Sequence, residues 1–177
     1  MTAEQALPGR LVRWISAAEP DWDAVYAEQL PRVYNFFRYR FGPSMDAEDL
    51  TARTFEKAWR ARHRYRRDAA GFATWLLAIA RNVAVDHLRA RRHHLSLEAA
   101  ALMAGSAGTP EDVAVQGSDE ARLATLLAAL PERERELMAL KYGAGMTNRA
   151  IARVTGLSES NVGTILHRTV QTLRARW

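Results

Sequence analysis

The sequence contains no cysteine, which excludes structural disulfides and thiolate zinc sites. Long apolar runs are missing too: near the start, Leu11-Val12 and Trp14-Ile15 are separated by Arg13. The sequence therefore predicts neither a signal-peptide core nor a membrane-spanning segment. On this pattern we expect a cytosolic protein.

Recognisable catalytic motifs are also missing. The chain carries no phosphate-binding Walker loop, no GxSxG nucleophile turn and no HExxH zinc motif. The neighbouring residues His93 and His94 do not form a metal pair, because adjacent helical side chains point about 100° apart. We therefore expect no enzymatic activity, no cofactor and no metal site.

Helix-forming and basic residues are abundant instead. Hydrophobic residues make up 48% of the 177 residues, so packed cores are expected. Alanine, leucine and arginine dominate and favour helix over strand. The formal net charge is +5. Because most of the basic residues are arginine, this charge persists at any relevant pH and suits phosphate contacts.

The C-terminal thirty residues show the most informative pattern. Thr147 can cap a short helix over 148–155, and Ser158 can cap a second helix from Glu159 to about Arg174. Gly156 lies in the turn between them. This arrangement is typical of a helix-turn-helix that enters the DNA major groove, although an ordinary αα-corner is the alternative. The shared apolar seam is predicted at Ile151, Val154, Leu157, Val162, Ile165 and Leu166.

Three further helices are predicted upstream. The first begins after Asp21, is kinked or restarted at Pro31, and ends at residues 42–44. Asp46 is predicted to cap the second helix, with Asp49 as the acid of a capping box. The buried side of this helix is predicted to carry Leu50, Phe55, Ala58 and Trp59.

The third helix is predicted from about Phe72 to Arg92. Periodicity then fades, and the segment 105–110, Gly-Ser-Ala-Gly-Thr-Pro, is a linker signal. A second helical unit begins near Asp119, with one helix to Leu130, a break at Pro131 and a second helix to Tyr142. The fold class is therefore all-α, with two small helical domains joined by a flexible linker. The predicted division is an N-terminal arm at 1–20, a first domain at 21–94, an acidic linker at 95–118 and a second domain at 119–177.

Two charged segments have alternative interpretations. The acidic start of the second helix, Asp46, Glu48 and Asp49, serves either capping and the helix dipole or docking of a basic partner. The basic belt that begins at Arg60 is either a solvated surface or a site for single-stranded DNA, which needs phosphate neutralisation and base stacking. Within that belt Tyr65 is the better stacking candidate, since Phe72 and Trp75 have core spacing.

Taken together, these motifs resemble a family. Six short segments resemble sigma region two. They are Asp46-Ala47-Glu48-Asp49-Leu50, Thr54-Phe55, Ala58-Trp59, Trp75-Leu76, Ile79-Ala80-Arg81-Asn82 and Asp86-His87-Leu88-Arg89. Residues 130–135, Leu-Pro-Glu-Arg-Glu-Arg, and the closing helix-turn-helix resemble sigma region four. In this order they resemble an extracytoplasmic-function (ECF) sigma factor of bacterial RNA polymerase, from the sigma-seventy family.

The resemblance implies a transcription initiation factor whose partners are promoter DNA and the largest and second-largest subunits of core RNA polymerase. An anti-sigma factor is a frequent further partner in this family. The implied polymerase-binding residues are Asp46, Glu48, Asp49 and Thr54. The residues implied to recognise and melt the minus-ten element are Arg62, Arg64, Tyr65, Arg67, Asn82, Asp86, Arg89 and Arg92. Those implied to read the minus-thirty-five element are Arg149, Ser158, Ser160, Asn161, Thr164, His167 and Arg168.

Two alternatives stay open from the sequence. An autonomous helix-turn-helix regulator would bind operators without polymerase, but it should show a dimerisation surface and a sensor domain. An all-helical interaction protein with merely solubilising basic faces would leave unexplained why the acidic helix start, the aromatic and basic loop and the terminal motif occur together.

Overall fold

The computed structural model describes residues 21–66, 70–102 and 119–177, with side chains described to His94 in the first unit. The N-terminal unit contains α1 (Trp22–Phe41), α2 (Met45–Arg60), a 3-10 turn (Arg62–Arg64) and α3 (Phe72–Leu102). The C-terminal unit contains α4 (Asp119–Ala128), α5 (Glu132–Met138), a π-helical turn (Ala139–Gly143), α6 (Asn148–Thr155) and α7 (Glu159–Arg176). Every regular element in these ranges is helical, so the all-α prediction is confirmed. The predicted arm at 1–20 and most of the predicted linker lie outside the described residues.

The N-terminal unit is a bundle of α1, α2 and α3 around an aromatic and aliphatic core. Phe36 and Phe37 are fully buried and meet edge to face, with ring centroids 5.1 Å apart. The other buried apolar residues of this unit are Val33, Ala47, Leu50, Phe55, Ala58, Leu76, Leu77, Ala80, Val83 and Ala84. Burial of this apolar stripe from each helix supplies the main stabilisation.

Several expectations for the N-terminal unit were wrong in detail. Pro31 lies inside one helix, Trp22–Phe41, which therefore does not restart there. The next two turns of α1 pack into the core, and this packing stabilises the helix by more than the loss of the one backbone hydrogen bond that proline cannot donate. Ser44, not Asp46, precedes α2 as its N-cap, and Ser44 makes no side-chain capping bond. Trp59 is 49% exposed and so is not on the buried side of α2.

The third helix is longer than predicted. α3 continues to Leu102, past the expected end at about Arg92 and into the stretch assigned to the linker. Residues 95–102, Leu-Ser-Leu-Glu-Ala-Ala-Ala-Leu, contain mainly strong helix formers. The prediction ended the helix where the hydrophobic periodicity fades, and it gave this helix propensity too little weight.

The helix-turn-helix is confirmed with its predicted caps. Thr147 Oγ1 accepts a hydrogen bond of 3.2 Å from the Ala150 N–H, and Ser158 Oγ accepts one of 3.2 Å from the Asn161 N–H. Gly156 ends α6 in the left-handed conformation, with φ of 77°. In the apolar seam Ile151, Val162 and Leu166 are buried, and Val154, Leu157 and Ile165 pack against them partly exposed.

The turn before this motif departs from the prediction. The helix that follows Pro131 was expected to run to Tyr142, but α5 ends at Met138 and the chain continues as a π-helical turn. The Ala144 N–H donates to the Ala139 carbonyl at 2.9 Å, a bond that spans five residues. This turn brings Gly143 against α1.

The two units pack against each other. α1 lies against α4, α5 and the π-helical turn, and α3 lies against α6. The buried residues of both units form one continuous cluster. The described parts of both units thus form a joined assembly, which a prediction of two linked domains does not specify.

Candidate nucleic-acid interface

The acidic start of α2 is a solvent-facing cluster. Asp46, Glu48 and Asp49 are exposed, and Asp46 Oδ2 lies 3.8 Å from His87 Nε2 of α3. None of the three acids is the N-cap. The acids therefore interact with the positive end of the helix dipole while their carboxylates remain open to a partner.

An open groove adjoins this acidic cluster. It runs between α1 and α2 beside Glu48, and its apolar wall comes from residues four apart along α1. Tyr26 in this wall is 47% exposed. Sequence analysis missed the groove, although the spacing of its aromatic residues is a helical signal. It is lined by Tyr26, Leu30, Pro31, Tyr34, Glu48, Thr51 and Ala52.

Thr54 does not belong to this exposed surface. It is completely buried, and its hydroxyl donates to the Leu50 carbonyl at 2.8 Å. The expectation that Thr54 contacts polymerase directly is therefore wrong for this conformation. Threonine is small and its hydroxyl is hydrogen-bonded within α2, so Thr54 fits the tight contact between α2 and the core.

The loop between α2 and α3 combines arginines with an aromatic cluster. The Arg62 guanidinium lies 4.3 Å from the centroid of the Trp59 ring, and its Nη1 donates to the Trp59 carbonyl at 3.0 Å. Tyr65 packs on Phe72 and Trp75, with centroids 5.2 and 5.3 Å away. The tyrosine ring is therefore anchored on one side and partly exposed on the other. Arg64 is exposed, and Arg67 lies outside the described residues.

The polar residues of α3 form the second group of minus-ten candidates. Asn82 and Arg89 are exposed. Asp86 Oδ2 accepts a bond of 3.1 Å from Lys57 Nζ, so this acid is already paired within the unit. Arg92 Nη2 donates to Glu132 Oε2 of α5 at 2.7 Å. The structure thus places these candidate residues on one helix, with one of them held by the other unit.

The recognition face lies on α7. Ser160, Asn161, Thr164, His167 and Arg168 are exposed and recur at three- and four-residue spacing. The Thr164 hydroxyl donates to the Ser160 carbonyl at 3.0 Å, so its proton is used within α7 while the side chain stays exposed.

Two further candidates of the minus-thirty-five set have intramolecular roles. Ser158 is occupied as the cap of α7. Arg149 Nε lies 3.5 Å from Glu159 Oε2, across the turn of the motif. Both residues flank the exposed face and stabilise the helix ends that present it.

A buried ion-pair network joins the two units, and sequence analysis did not find it. Arg40 at the end of α1 is 3% exposed, and its Nη1 donates to Glu136 Oε1 of α5 at 2.6 Å. Arg81 Nε of α3 donates to the same oxygen at 3.1 Å. Arg40 Nη2 also lies 3.5 Å from Glu132 Oε1. No local signal marks these residues, because the partners of Arg40 come from a different unit.

Arg135 lies near this network. Burial, and secondarily the charge of Arg40, lower the pKa of the Arg135 guanidinium, whereas Glu132 raises it. Its Nη2 donates to the Leu130 carbonyl at 2.8 Å, just before the break at Pro131. Positive charge is thus concentrated where α5 meets the N-terminal unit, and the glutamates of α5 balance it.

Within the described ranges, no group of three or more His, Asp or Glu residues is arranged to hold a metal ion. No helix in those ranges is both long and apolar enough to cross a bilayer.

Comparison with known proteins matches both units to family models. The model described as Sigma-70 region 2 matches residues 25–94, and that described as Sigma-70, region 4 matches residues 120–173. The chain is 30% identical over 166 residues to the ECF RNA polymerase sigma factor BldN of Streptomyces coelicolor, which covers 92% of the chain and 63% of BldN. It is 31% identical to the ECF RNA polymerase sigma factor RpoE of Cereibacter sphaeroides, covering 82% of the chain and 81% of that protein.

Solved structures give the same fold. The sigma factor RpoE of Bartonella quintana, crystallised with the anti-sigma factor NepR, matches with a TM-score of 0.71 at 21% identity. The match covers 88% of the chain and 95% of that protein. The chain spans about three fifths of BldN's length and a third of that of the probable sigma factor RfaY of Xanthomonas campestris.

Proposed function

The chain belongs to the ECF group of the sigma-70 family, and on that premise we propose that it binds core RNA polymerase and directs it to specific promoters. The observation that carries the proposal is the presence of two chemically different DNA-binding faces in one chain. The N-terminal unit offers arginines, an amide and an aromatic cluster, whereas the C-terminal unit offers a capped helix with an exposed polar face. An autonomous operator-binding regulator needs only the second face.

Polymerase docking is assigned to the start of α2. Asp46, Glu48 and Asp49 form an exposed negative patch, and the apolar groove beside Glu48 adds a surface that excludes water. Charges at the rim of an interface steer association, and apolar contacts at its centre supply affinity. This combination supports docking on a basic polymerase element, with the largest subunit as the principal partner and the second-largest subunit as a further contact.

Promoter melting is assigned to the loop at residues 62–71 and the polar side of α3. Arg62, Arg64 and Arg89 can neutralise phosphates, and the free face of Tyr65 can stack an unpaired base. Asn82 can form hydrogen bonds with a base edge. Trapping bases of one strand offsets the unpairing cost of a few kcal/mol without any covalent step. The proposal therefore includes no enzymatic activity and requires no cofactor or metal.

Recognition of the minus-thirty-five element is assigned to α7. A helix enters the major groove with one face against the bases, and Asn161, Thr164 and Arg168 lie on one such face. The proposed location is the cytoplasm, where polymerase and promoter DNA are found. Regulation by an anti-sigma factor stays a prediction, with no residue assigned to it.

The proposal is tested by co-purification with core polymerase and by run-off transcription. We expect the chain to bind core polymerase and to make it produce a discrete transcript from promoter DNA. Sequence-specific DNA binding without any association with core polymerase would instead support the autonomous regulator.

A further inference from the structure

We propose that Met45 is the apolar anchor of the polymerase-docking face at the start of α2, and that its oxidation to the sulfoxide weakens docking reversibly. This inference rests on the proposed function, because it names the side chain through which that face gains and loses affinity. Met45 is the first residue of α2 and directly precedes the exposed acids Asp46, Glu48 and Asp49.

Met45 is the most exposed large apolar side chain in the described part of the chain, at 81%. Four others in that part are about half exposed: Tyr26, Trp59, Tyr142 and Trp177. Of these, Tyr26, Trp59 and Trp177 each pack against another ring or a guanidinium. A single exposed apolar side chain is common on protein surfaces, so its neighbours decide whether it belongs to a binding site.

The neighbours of Met45 on α2 have the composition of an interface. Residues three and four apart share one helix face, so Met45 lies beside Glu48 and Asp49, and Ala52 lies two turns along the same face. Glu48 and Ala52 also line the apolar groove between α1 and α2. Apolar surface therefore lies on both sides of the two acids. Protein interfaces combine apolar contacts with charge in this way, and methionine is enriched in them because its flexible thioether adapts to a partner's shape.

An exposed thioether is also open to oxidation by a peroxide. The sulfur lone pair attacks one oxygen of hydrogen peroxide, the O–O bond breaks, and the other oxygen leaves as water after it takes the proton of the first. The sulfur loses two electrons and the peroxide gains them. A methionine sulfoxide reductase reverses the change at the expense of two thiols, which become a disulfide while the oxygen leaves as water.

The composition of the chain directs a peroxide to Met45. The chain has five methionines and no cysteine, so no thiol competes for the oxidant. Met138 and Met146 are only 6% and 4% exposed, whereas Met1 and Met103 lie outside the described residues. Because methionine oxidation follows exposure, Met45 should react before the two buried methionines.

Oxidation changes the docking face and not the core. The sulfoxide is polar, and its burial against an apolar partner surface without a hydrogen bond is unfavourable. The fold should be spared, because the Met45 side chain is outside the core. The loss of an apolar anchor should accelerate dissociation, whereas the loss of a charge at the rim mainly slows association and alters its salt dependence.

Controlled oxidation of the full chain tests the anchor. The free chain is treated with hydrogen peroxide, the oxidant is removed, and untreated core polymerase is then titrated. Peptide mass spectrometry measures the sulfoxide at each methionine. We expect Met45 to be converted first and affinity for core polymerase to fall at least about fivefold, through faster dissociation. Methionine sulfoxide reductase should restore the affinity, and thermal melting of the free chain should stay unchanged throughout.

Two substitutions separate apolar contact from oxidation. Met45→Leu keeps an apolar side chain of similar size without sulfur, so it should bind core polymerase normally and ignore the peroxide treatment while it retains the other methionines. Met45→Gln has a similar length and a polar end, as the sulfoxide does, so it should bind at least about fivefold more weakly without any oxidant.

The outcomes distinguish the anchor from the proposed function. Unchanged affinity after complete conversion of Met45 would overturn the anchor, and so would an equal loss of affinity in the oxidised Met45→Leu variant or normal affinity in Met45→Gln. Each of these results leaves the proposed function intact. Failure of the untreated original chain to bind core polymerase would instead overturn the proposed function, and the anchor with it.

Discussion

The Arg40 guanidinium donates a hydrogen bond of 2.6 Å to Glu136 Oε1 across the contact between the two units, and both residues are nearly withdrawn from water. Burial of two charges costs desolvation energy that their attraction only partly offsets. Such a pair adds little net stability, but removal of one member leaves an uncompensated buried charge. The pair therefore makes the contact between the two units sensitive to single substitutions.

Glu136→Gln should uncouple the two units. The contact between the units should lose about 3–5 kcal/mol of stability, because the buried Arg40 guanidinium would lose its main charged partner. Differential scanning calorimetry should then resolve two transitions, whereas we expect one for the original chain. As a control, Glu56→Gln removes an exposed pair with Arg60 inside α2. That pair is worth at most about 0.5 kcal/mol, so one transition should remain. A single transition in the Glu136 variant would contradict the prediction.

The acidic start of α2 should contribute to polymerase binding more than to folding. Replacement of Glu48 and Asp49 by alanine should weaken affinity for core polymerase at least about tenfold, since rim charges steer and anchor docking. The free energy of unfolding should change by less than about 1 kcal/mol, because neither residue is the N-cap of α2. Fluorescence titration with core polymerase and thermal melting measure the two effects. Glu28→Ala is the control, and an unchanged affinity in the double variant would rule out this docking face.

Strand opening and duplex reading should respond to different substitutions. Tyr65→Ala with Asn82→Ala should reduce transcription from a duplex promoter more than from a template already mismatched over the minus-ten element. The mismatched template removes the unpairing cost that stacking on Tyr65 offsets. Permanganate footprinting of thymines reports the opening itself. Tyr65→Phe should retain activity, since it keeps the ring and its contacts with Phe72 and Trp75.

Substitutions in the minus-thirty-five face should give a different pattern. Asn161→Ala with Arg168→Ala should reduce transcription from both templates equally, because melting does not replace upstream anchoring. If the mismatched template fails to rescue the Tyr65 and Asn82 variant, these two residues do not act in strand opening.

Ser158 should act through helix capping. Ser158→Ala should lower the free energy of unfolding of the C-terminal unit by about 1 kcal/mol, because the Asn161 N–H loses its acceptor. Ser158→Asn keeps an acceptor at the cap and should restore stability in urea titration. If the asparagine variant recovers stability but binding of the minus-thirty-five duplex stays weak, the hydroxyl contacts DNA as well.

Local signals in the sequence were sufficient for the helix-turn-helix. Thr147, Gly156 and Ser158 act within their own turns, so the bounds of α6 and the start of α7 were predicted correctly. The recognition-face candidates on α7 were implied by the resemblance to sigma region four, and they are exposed. Their contacts with DNA stay predictions.

Tertiary relationships were beyond these signals. Arg40 and Glu136 are 96 residues apart, and no local pattern pairs them. Pro31 was expected to kink or restart α1, and the helix does not restart there, because core packing on its C-terminal side maintains it. The spacing of Trp59 favoured burial, yet its ring instead packs with Trp22 and Arg62 at the surface. In each case the outcome depends on what another element contributes.

The most direct measurement is the mapping of transcripts made by core RNA polymerase on genomic DNA, with and without this protein. We predict a set of new start sites that share one pair of sequence elements, centred near minus ten and minus thirty-five. The Asn161 and Arg168 substitutions should abolish these starts. Identical transcripts with and without the protein, under conditions where core polymerase is active with another sigma factor, would contradict its proposed role in promoter recognition.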